Sequence, residues 1–147
     1  MLPSKPTWKT KAKRPRISEQ TRYYFKMRDI QNRADLEVLL HSFYKKLLQD
    51  PAINYIFTTV AQLDMEKHLP IIVNFWEQNL FHSGNYKNNV LQIHVDLNQK
   101  IKLSETHFSL WLAYFNQTVN ELFSGVNAEK IMTNALSIAT VMKIKLD

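Results

Sequence analysis

Apolar residues recur at helical spacing along almost the whole chain after Ala34. Steps of three and four residues place such side chains on one face of an α-helix, whereas a half-buried strand would need strict alternation. The clearest stripe consists of Leu36, Leu39, Leu40, Phe43 and Leu47. Asp50-Pro51 ends this helix because the residue before proline is pushed out of the α region. The chain is therefore predicted to be all-α, with nothing that requires a sheet.

A second stripe runs from Met65 to Leu80 and predicts another long helix. Proline is tolerated best in the first helical turn, where its missing N–H would have no partner. With Pro70 in that turn, the regular part of this helix is predicted to begin near Lys67.

Three further segments carry the same period. Ser104 is a suitable N-cap for a helix that ends at Gly125, and the last helix opens near Asn127. Short helices are predicted around 53–57 and over 90–97, after a loop rich in asparagine. The prediction is four substantial helices plus short ones, which suits an all-helical domain.

The absence of cysteine and the wide spacing of the two glycines exclude several classes of protein. The chain has no cysteine, so it cannot form a disulfide framework, a thiolate zinc or iron–sulfur site, a covalent c-type haem attachment or a cysteine nucleophile. Any metal must be held by nitrogen or oxygen. The two glycines, Gly84 and Gly125, lie far apart, so neither a G-x-G-x-x-G fingerprint nor a P-loop can be written.

The net charge of +6 is concentrated at the start of the chain. Residues 1–28 hold nine lysines and arginines and one acidic residue, together with three of the five prolines, so the rest of the chain is mildly acidic. Such a composition predicts a basic, disordered leader, 1–28, before one folded domain, 29–147.

The leader has three interpretations. It could be an arm for nucleic acid or anionic lipid, with Trp8, Tyr23 and Tyr24 as stacking or interfacial groups. It could be a solvated tail with no specific partner, or translation could start at Met27, where the periodic sequence begins. Since neither a signal-peptide run nor a membrane span is present, the predicted location is cytoplasmic.

Five histidines are candidates for chemistry. His41, His82 and His107 fit ordinary structural roles on helices or at a helix end. His68 shares a helical face with apolar residues, and His94 lies between Ile93 and Val95, so either could be a ligand or a satisfied core histidine. The same choice applies to two aromatic residues with polar tips, Tyr44 and Trp111.

These weak signals fall in one order along the chain. The order is Phe43-Tyr44, then His68-Leu69-Pro70 with Phe75-Trp76, then His94 with Leu97, then His107-Phe108-x-x-Trp111-Leu112. Over about residues 29–142 this pattern resembles the group III truncated haemoglobins. The most specific parts are H-L-P-x-x-x-x-F-W and H-F-x-x-W-L. One departure is the segment 87–90, where that family tends to place glycine and proline.

The resemblance implies a truncated globin, a two-on-two helical sandwich around haem b. It implies that His94 is the proximal iron ligand and that Tyr44, His68 and Trp111 face the ligand on the other side. His68 could either gate ligand entry or bind the iron itself. Contacts with the haem edge are expected from Phe57, Leu69, Ile72 and Leu97.

The predicted function is tight binding of oxygen, or of another diatomic ligand such as NO, by a monomer with a redox or scavenging role. Enzymatic turnover, such as NO dioxygenation, would be secondary and would need a reductase. One alternative is a haem-free helical domain whose basic arm binds nucleic acid or membrane. A metal hydrolase is a weaker alternative because no H-E-x-x-H pair occurs.

Overall fold

The computed structural model describes residues 27–84 and 86–147, and in these two ranges it contains helices and no strand. This outcome confirms the predicted all-α class. The elements are α1 (Arg33–Gln49), a π-helical turn (Ile56–Val60), α2 (Met65–Phe81), α3 (Val90–Lys100), α4 (Glu105–Leu122) and α5 (Val126–Leu146). Within the same ranges, none of the helices combines the length and apolar character that crossing a membrane needs.

Most of the predicted leader, residues 1–26, lies outside the described residues, as do its tryptophan and two tyrosines. The last residue of the predicted leader is in contact with the domain. The Arg28 guanidinium donates to the Asp35 carboxylate of α1 at 2.9 Å, and the backbone carbonyl of Arg28 accepts from the N–H of Ser124 at 3.1 Å.

Side-chain caps explain where four of the five α-helices begin. In each of them, the residue before the first turn accepts a hydrogen bond from a backbone N–H of that turn, which satisfies a donor that the helix itself cannot pair. These residues are Asn32, Asp64, Asn89 and Ser104. The prediction of Ser104 as an N-cap is therefore confirmed.

The predicted start of α2 is wrong by two residues. The helix begins at Met65 because the Asp64 carboxylate accepts from the Glu66 N–H at 3.1 Å and so caps an earlier turn. Pro70 consequently lies inside the helix, where it leaves the Glu66 carbonyl without its usual donor. Glu66 and Pro70 are both exposed, so water can take the place of that donor.

The long helices form two packed pairs. α1 packs against α2, α4 packs against α5, and further contacts join α1 to α4 and α2 to α5. The stripe predicted on α1 is buried in full, with exposures of 0–1%. It meets the buried faces of α4 and α5, which include Phe115, Val119, Ile131 and Ala135. The arrangement is a two-on-two helical sandwich, with the shorter α3 against α5.

The start of α5 is capped from the other end of the chain. The Asp29 carboxylate accepts from the backbone N–H groups of Asn127 and Ala128, both at 2.8 Å. A negative charge at this end of a helix also suits the helix dipole. Gly125 has φ +148° and ψ −170°, a conformation that is essentially restricted to glycine, and an added Cβ would lie 2.4 Å from Asp29 Cγ.

We expect Gly125→Ala to lower the free energy of unfolding by about 1–3 kcal/mol or more, because strain of this kind costs that much even before the clash with Asp29 is counted. Urea denaturation of the full chain measures the change. Ser124→Ala is the matched control at the neighbouring exposed position and should stay within about 0.5 kcal/mol. Equal stability of the two variants would contradict the argument.

Candidate functional site

A cavity of about 480 Å³ lies among the helices, with walls from α1, the segment 53–63, α2, the 86–88 loop, α3, α4 and α5. Its lining is mainly apolar. Seven of the eight residues that sequence analysis singles out for the site line it: Tyr44, Phe57, His68, Ile72, His94, Leu97 and Trp111. The eighth, Leu69, is not among the lining residues and packs against the hydrophobic core. The structure therefore brings residues from five separate segments to one space.

His94 lines this cavity, and one of its ring nitrogens has no hydrogen-bond partner among residues 27–84 and 86–147. Asn89 caps α3 so that the helix begins at Val90, which places His94 one turn inside it. There its Nδ1 donates to the Val90 carbonyl at 2.8 Å. A carbonyl can only accept, so Nδ1 holds the proton and Nε2 keeps its lone pair. A backbone carbonyl is a common partner for the far nitrogen of metal-ligating histidines.

The pKa of His94 is lowered, mainly by burial, although its hydrogen bond to Val90 acts in the opposite direction. The imidazole is therefore neutral at neutral pH. A neutral imidazole is the form that binds a metal.

Tyr44 and His68 meet edge to face in the cavity wall. Their ring centroids lie 5.7 Å apart, and the Tyr44 ring also meets Phe57 edge to face at 5.8 Å. Burial raises the pKa of the Tyr44 hydroxyl far above its ordinary value, so the group stays protonated and can donate. Among residues 27–84 and 86–147, no hydrogen-bond partner of this hydroxyl is found. Its donor capacity is free for something in the cavity.

Trp111 is held in place by an aromatic cluster. Its ring stacks on Phe115, with centroids 5.3 Å apart and planes 12° apart, and meets Phe43 edge to face at 5.6 Å. Phe43 and Phe115 also contact each other at 5.1 Å. Such a cluster restricts the tryptophan to one orientation at the cavity wall, where its indole N–H is the only polar group it can offer.

The other histidines have structural positions. His41 is exposed on α1, and His82 ends α2 in the left-handed conformation with φ +59°. His107 caps α4, since its Nδ1 accepts from the Ser104 N–H at 3.0 Å. His107 also borders the cavity, which sequence analysis did not predict.

Sequence analysis did not single out several of the residues that line the cavity. They include Ile53, Ile56, Ala61, Leu63, Tyr86, Asn88, Ala139 and Met142. Met142 lies on an apolar stripe of α5 that also contains Ile131, Ala135 and Ile138, and periodicity does not show whether such a stripe faces a solid core or a cavity. For Tyr86 the signal was a lone aromatic residue in a polar loop, and its ring packs on Phe75 at 5.2 Å.

We expect the chain, with nothing bound in the cavity, to lose stability as the pH falls below about 6.5, the ordinary pKa of histidine, towards the lower pKa values of the folded state. Burial lowers the pKa of both His68 and His94 in the folded state, and repulsion by His94 when it is protonated lowers the pKa of His68 further. The unfolded chain then binds more protons than the folded chain below about pH 6.5, so the free energy of unfolding rises with pH.

Each such histidine adds up to about 1.4 kcal/mol per pH unit to the slope of the free energy of unfolding against pH. Urea denaturation at a series of pH values measures the slope, and His68→Gln should make it shallower. A free energy of unfolding that does not change over this pH range would contradict the argument.

No protein-family model matches the sequence. A curated relative, the group 3 truncated haemoglobin ctb of Campylobacter jejuni, is 26% identical over 112 residues, which cover 74% of this chain and 86% of the relative. The crystal structure of a group III truncated haemoglobin from Campylobacter jejuni superposes with a TM-score of 0.72, with 26% identity, over 80% of this chain and 93% of the other. These two likenesses confirm the resemblance stated above.

Proposed function

Starting from the truncated-globin fold of this chain, we propose that it binds a b-type haem in the cavity, with His94 as the iron ligand. The observation that carries the proposal is the His94 imidazole at the wall of a mainly apolar cavity of about 480 Å³, whose Nδ1 donates to the Val90 carbonyl and whose Nε2 has no partner among the described residues. A chain without cysteine must hold haem by axial coordination and apolar burial. The side chains present supply both.

The haem supplies an iron that can bind a diatomic ligand such as oxygen or NO. The chain supplies the surroundings of that ligand. The Tyr44 hydroxyl and the Trp111 indole N–H are hydrogen-bond donors, and a ligand that gains negative charge on binding is stabilised by such donors in a dry site. His68 stands beside Tyr44 and either gates entry or competes as a second imidazole ligand.

The apolar contacts of the haem are proposed to come from Phe57, Ile72 and Leu97, which line the cavity. Leu69 is proposed as a further contact at the margin, because it packs against the core next to this wall. Burial of apolar surface contributes about 25 cal/mol per Å², so contacts of this kind hold a large flat ligand without any specific polar group.

A hydrogen bond to a charged group contributes about 1.5–3 kcal/mol of stabilisation. Two such donors would stabilise the bound oxygen, so we expect oxygen to dissociate slowly. Slow release suits scavenging, sensing or chemistry with oxygen or NO better than bulk transport. Repeated turnover would need electrons from a reductase.

The test is reconstitution of the full chain with haem and measurement of its absorbance. We expect an intense Soret band, a stoichiometry of one haem per chain, and a shift of the band when carbon monoxide is added to the reduced protein. Protein that stays colourless would overturn the proposal. In that case, binding of nucleic acid or lipid vesicles that weakens with salt and disappears on deletion of residues 1–28 would favour the haem-free alternative.

A further inference from the structure

One wall of the cavity is made by an irregular segment, residues 53–63. It contributes Ile53, Ile56, Phe57, Ala61 and Leu63 to the lining. Its backbone hydrogen bonds are local: the Ala61 N–H donates to the Ile56 carbonyl at 2.8 Å, and the Leu63 N–H donates to the Phe57 carbonyl at 2.9 Å. π-helical turns of this kind are frequent at functional sites.

Two side-chain hydrogen bonds tie this segment to other described elements: at its start, Asn54 Nδ2 donates to the Leu48 carbonyl of α1 at 3.2 Å, and the second bond joins Tyr55 to α4. His107 Nε2 and the Tyr55 hydroxyl lie 2.8 Å apart. Since His107 Nδ1 accepts from the Ser104 N–H, its proton is on Nε2, and Nε2–H donates to the Tyr55 oxygen. Across residues 55–63, all described, this is the one hydrogen bond that reaches a distant element.

The position of this bond links it to the ligand side of the cavity. Tyr55 immediately precedes the π-helical turn, and the first residues of that turn include Phe57, whose ring meets Tyr44 edge to face. At the other end, His107 is anchored by the capping box that begins α4. A rigid helix start therefore holds the base of an otherwise locally bonded wall.

We propose that Tyr55 and His107 are positioning residues that hold this wall closed, and that they thereby set the rate at which a diatomic ligand enters and leaves the cavity. The part concerning ligand rates depends on the proposed haem function, whereas the part concerning the wall does not. Neither residue needs to touch the ligand. Their bond raises the cost of moving Phe57 and its neighbours away from Tyr44.

The kinetic consequence differs from that of a direct ligand contact. Opening of a wall lies on the path of both entry and exit, so a loosened wall speeds association and dissociation by the same factor and leaves the affinity unchanged. Loss of a donor such as Tyr44 instead acts mainly on dissociation. A hydrogen bond of ordinary net strength corresponds to a factor of about five in the opening equilibrium.

The experiment compares Tyr55→Phe with Tyr114→Phe in the full chain. Tyr114 donates to the Asp50 carboxylate at 2.6 Å, just where α1 ends, so Tyr114→Phe removes another hydrogen bond of a tyrosine hydroxyl without releasing Tyr55. In the haem-free chain, Tyr55→Phe should speed amide hydrogen exchange at residues 56–63 about fivefold relative to Tyr114→Phe. Amide hydrogens in the core of α1 exchange only through global unfolding, so their exchange rates should be similar in the two variants.

In the haem-loaded chain, the probe is carbon monoxide. Tyr55→Phe should raise both its association and its dissociation rate about fivefold, with an unchanged ratio and an unchanged Soret band. The double variant Tyr55→Phe with His107→Ala should show no larger rate increase than His107→Ala alone, since both substitutions remove the same bond.

Two failures are distinguishable. A wild-type chain that takes up no haem would overturn the proposed function, while exchange at residues 56–63 would still test the wall. Exchange and carbon monoxide rates that are the same in Tyr55→Phe and Tyr114→Phe would overturn the present proposal. A rise in dissociation alone would also overturn it, because it would point to a direct ligand contact.

Discussion

Haem binding is expected to fall by more than about 100-fold when His94 is replaced by alanine, because even changes in the outer shell of a metal site cost about 10–100-fold and His94 is the proposed ligand itself. The substitution removes Nε2, which has no hydrogen-bond partner among the described residues. The Soret band should be lost, or strongly shifted if residual haem is held by apolar contacts alone. Titration of the full chain with haem, followed by absorbance, measures the effect.

Two controls isolate coordination from folding. His41→Ala changes a histidine on the exposed side of α1 and should leave the Soret band unchanged. Added imidazole should restore much of the band in His94→Ala, since the small molecule can occupy the space that the side chain vacates. An unaltered band in His94→Ala would show that another group binds the iron, and the proposed arrangement of the site would be wrong.

Tyr44→Phe is expected to speed oxygen release about 10- to 100-fold. The hydroxyl has no hydrogen-bond partner among the described residues, so its donor capacity is available to a bound ligand. Loss of a hydrogen bond to a charged group costs about 1.5–3 kcal/mol, and 1.4 kcal/mol is a factor of ten. Association should change little, because the ring itself remains and continues to pack on Phe57 and His68.

Stopped-flow measurement of oxygen dissociation from the reduced protein tests this expectation. Tyr114→Phe is the matched control, since it removes a hydroxyl that donates to Asp50 and is not among the residues that line the cavity. If the oxygen dissociation rate is the same in Tyr44→Phe as in the wild-type chain, Tyr44 does not stabilise the ligand, and the prediction of slow release loses its main support.

The helices were predictable because helix formation is read largely from local pattern. The stripe of α1 is wholly buried, and Ser104 caps α4 as its residue type suggests. The error at α2 has a local physical cause as well: Asp64 caps a turn earlier than Pro70 would suggest, and the exposed Glu66 carbonyl can be solvated. Composition also excluded thiolate, P-loop and dinucleotide sites outright.

Long-range contacts were not predictable in the same way. Nothing near Gly125 in the sequence shows that Asp29, 98 residues before Asn127, would cap α5. Likewise, His107 was assigned an ordinary helical role, and its bond to Tyr55, 52 residues away, depends on how the segment 53–63 packs.

The sequence by itself determined the helical class, the excluded cofactor and nucleotide sites and, through a resemblance, the candidate residues of the site. Only the tertiary structure decided that His94, His68, Tyr44 and Trp111 share one cavity and that no described residue bonds to His94 Nε2. The physical reason is that periodicity specifies which face of a helix is apolar, whereas the packing of several helices decides whether those faces close on each other or around a space.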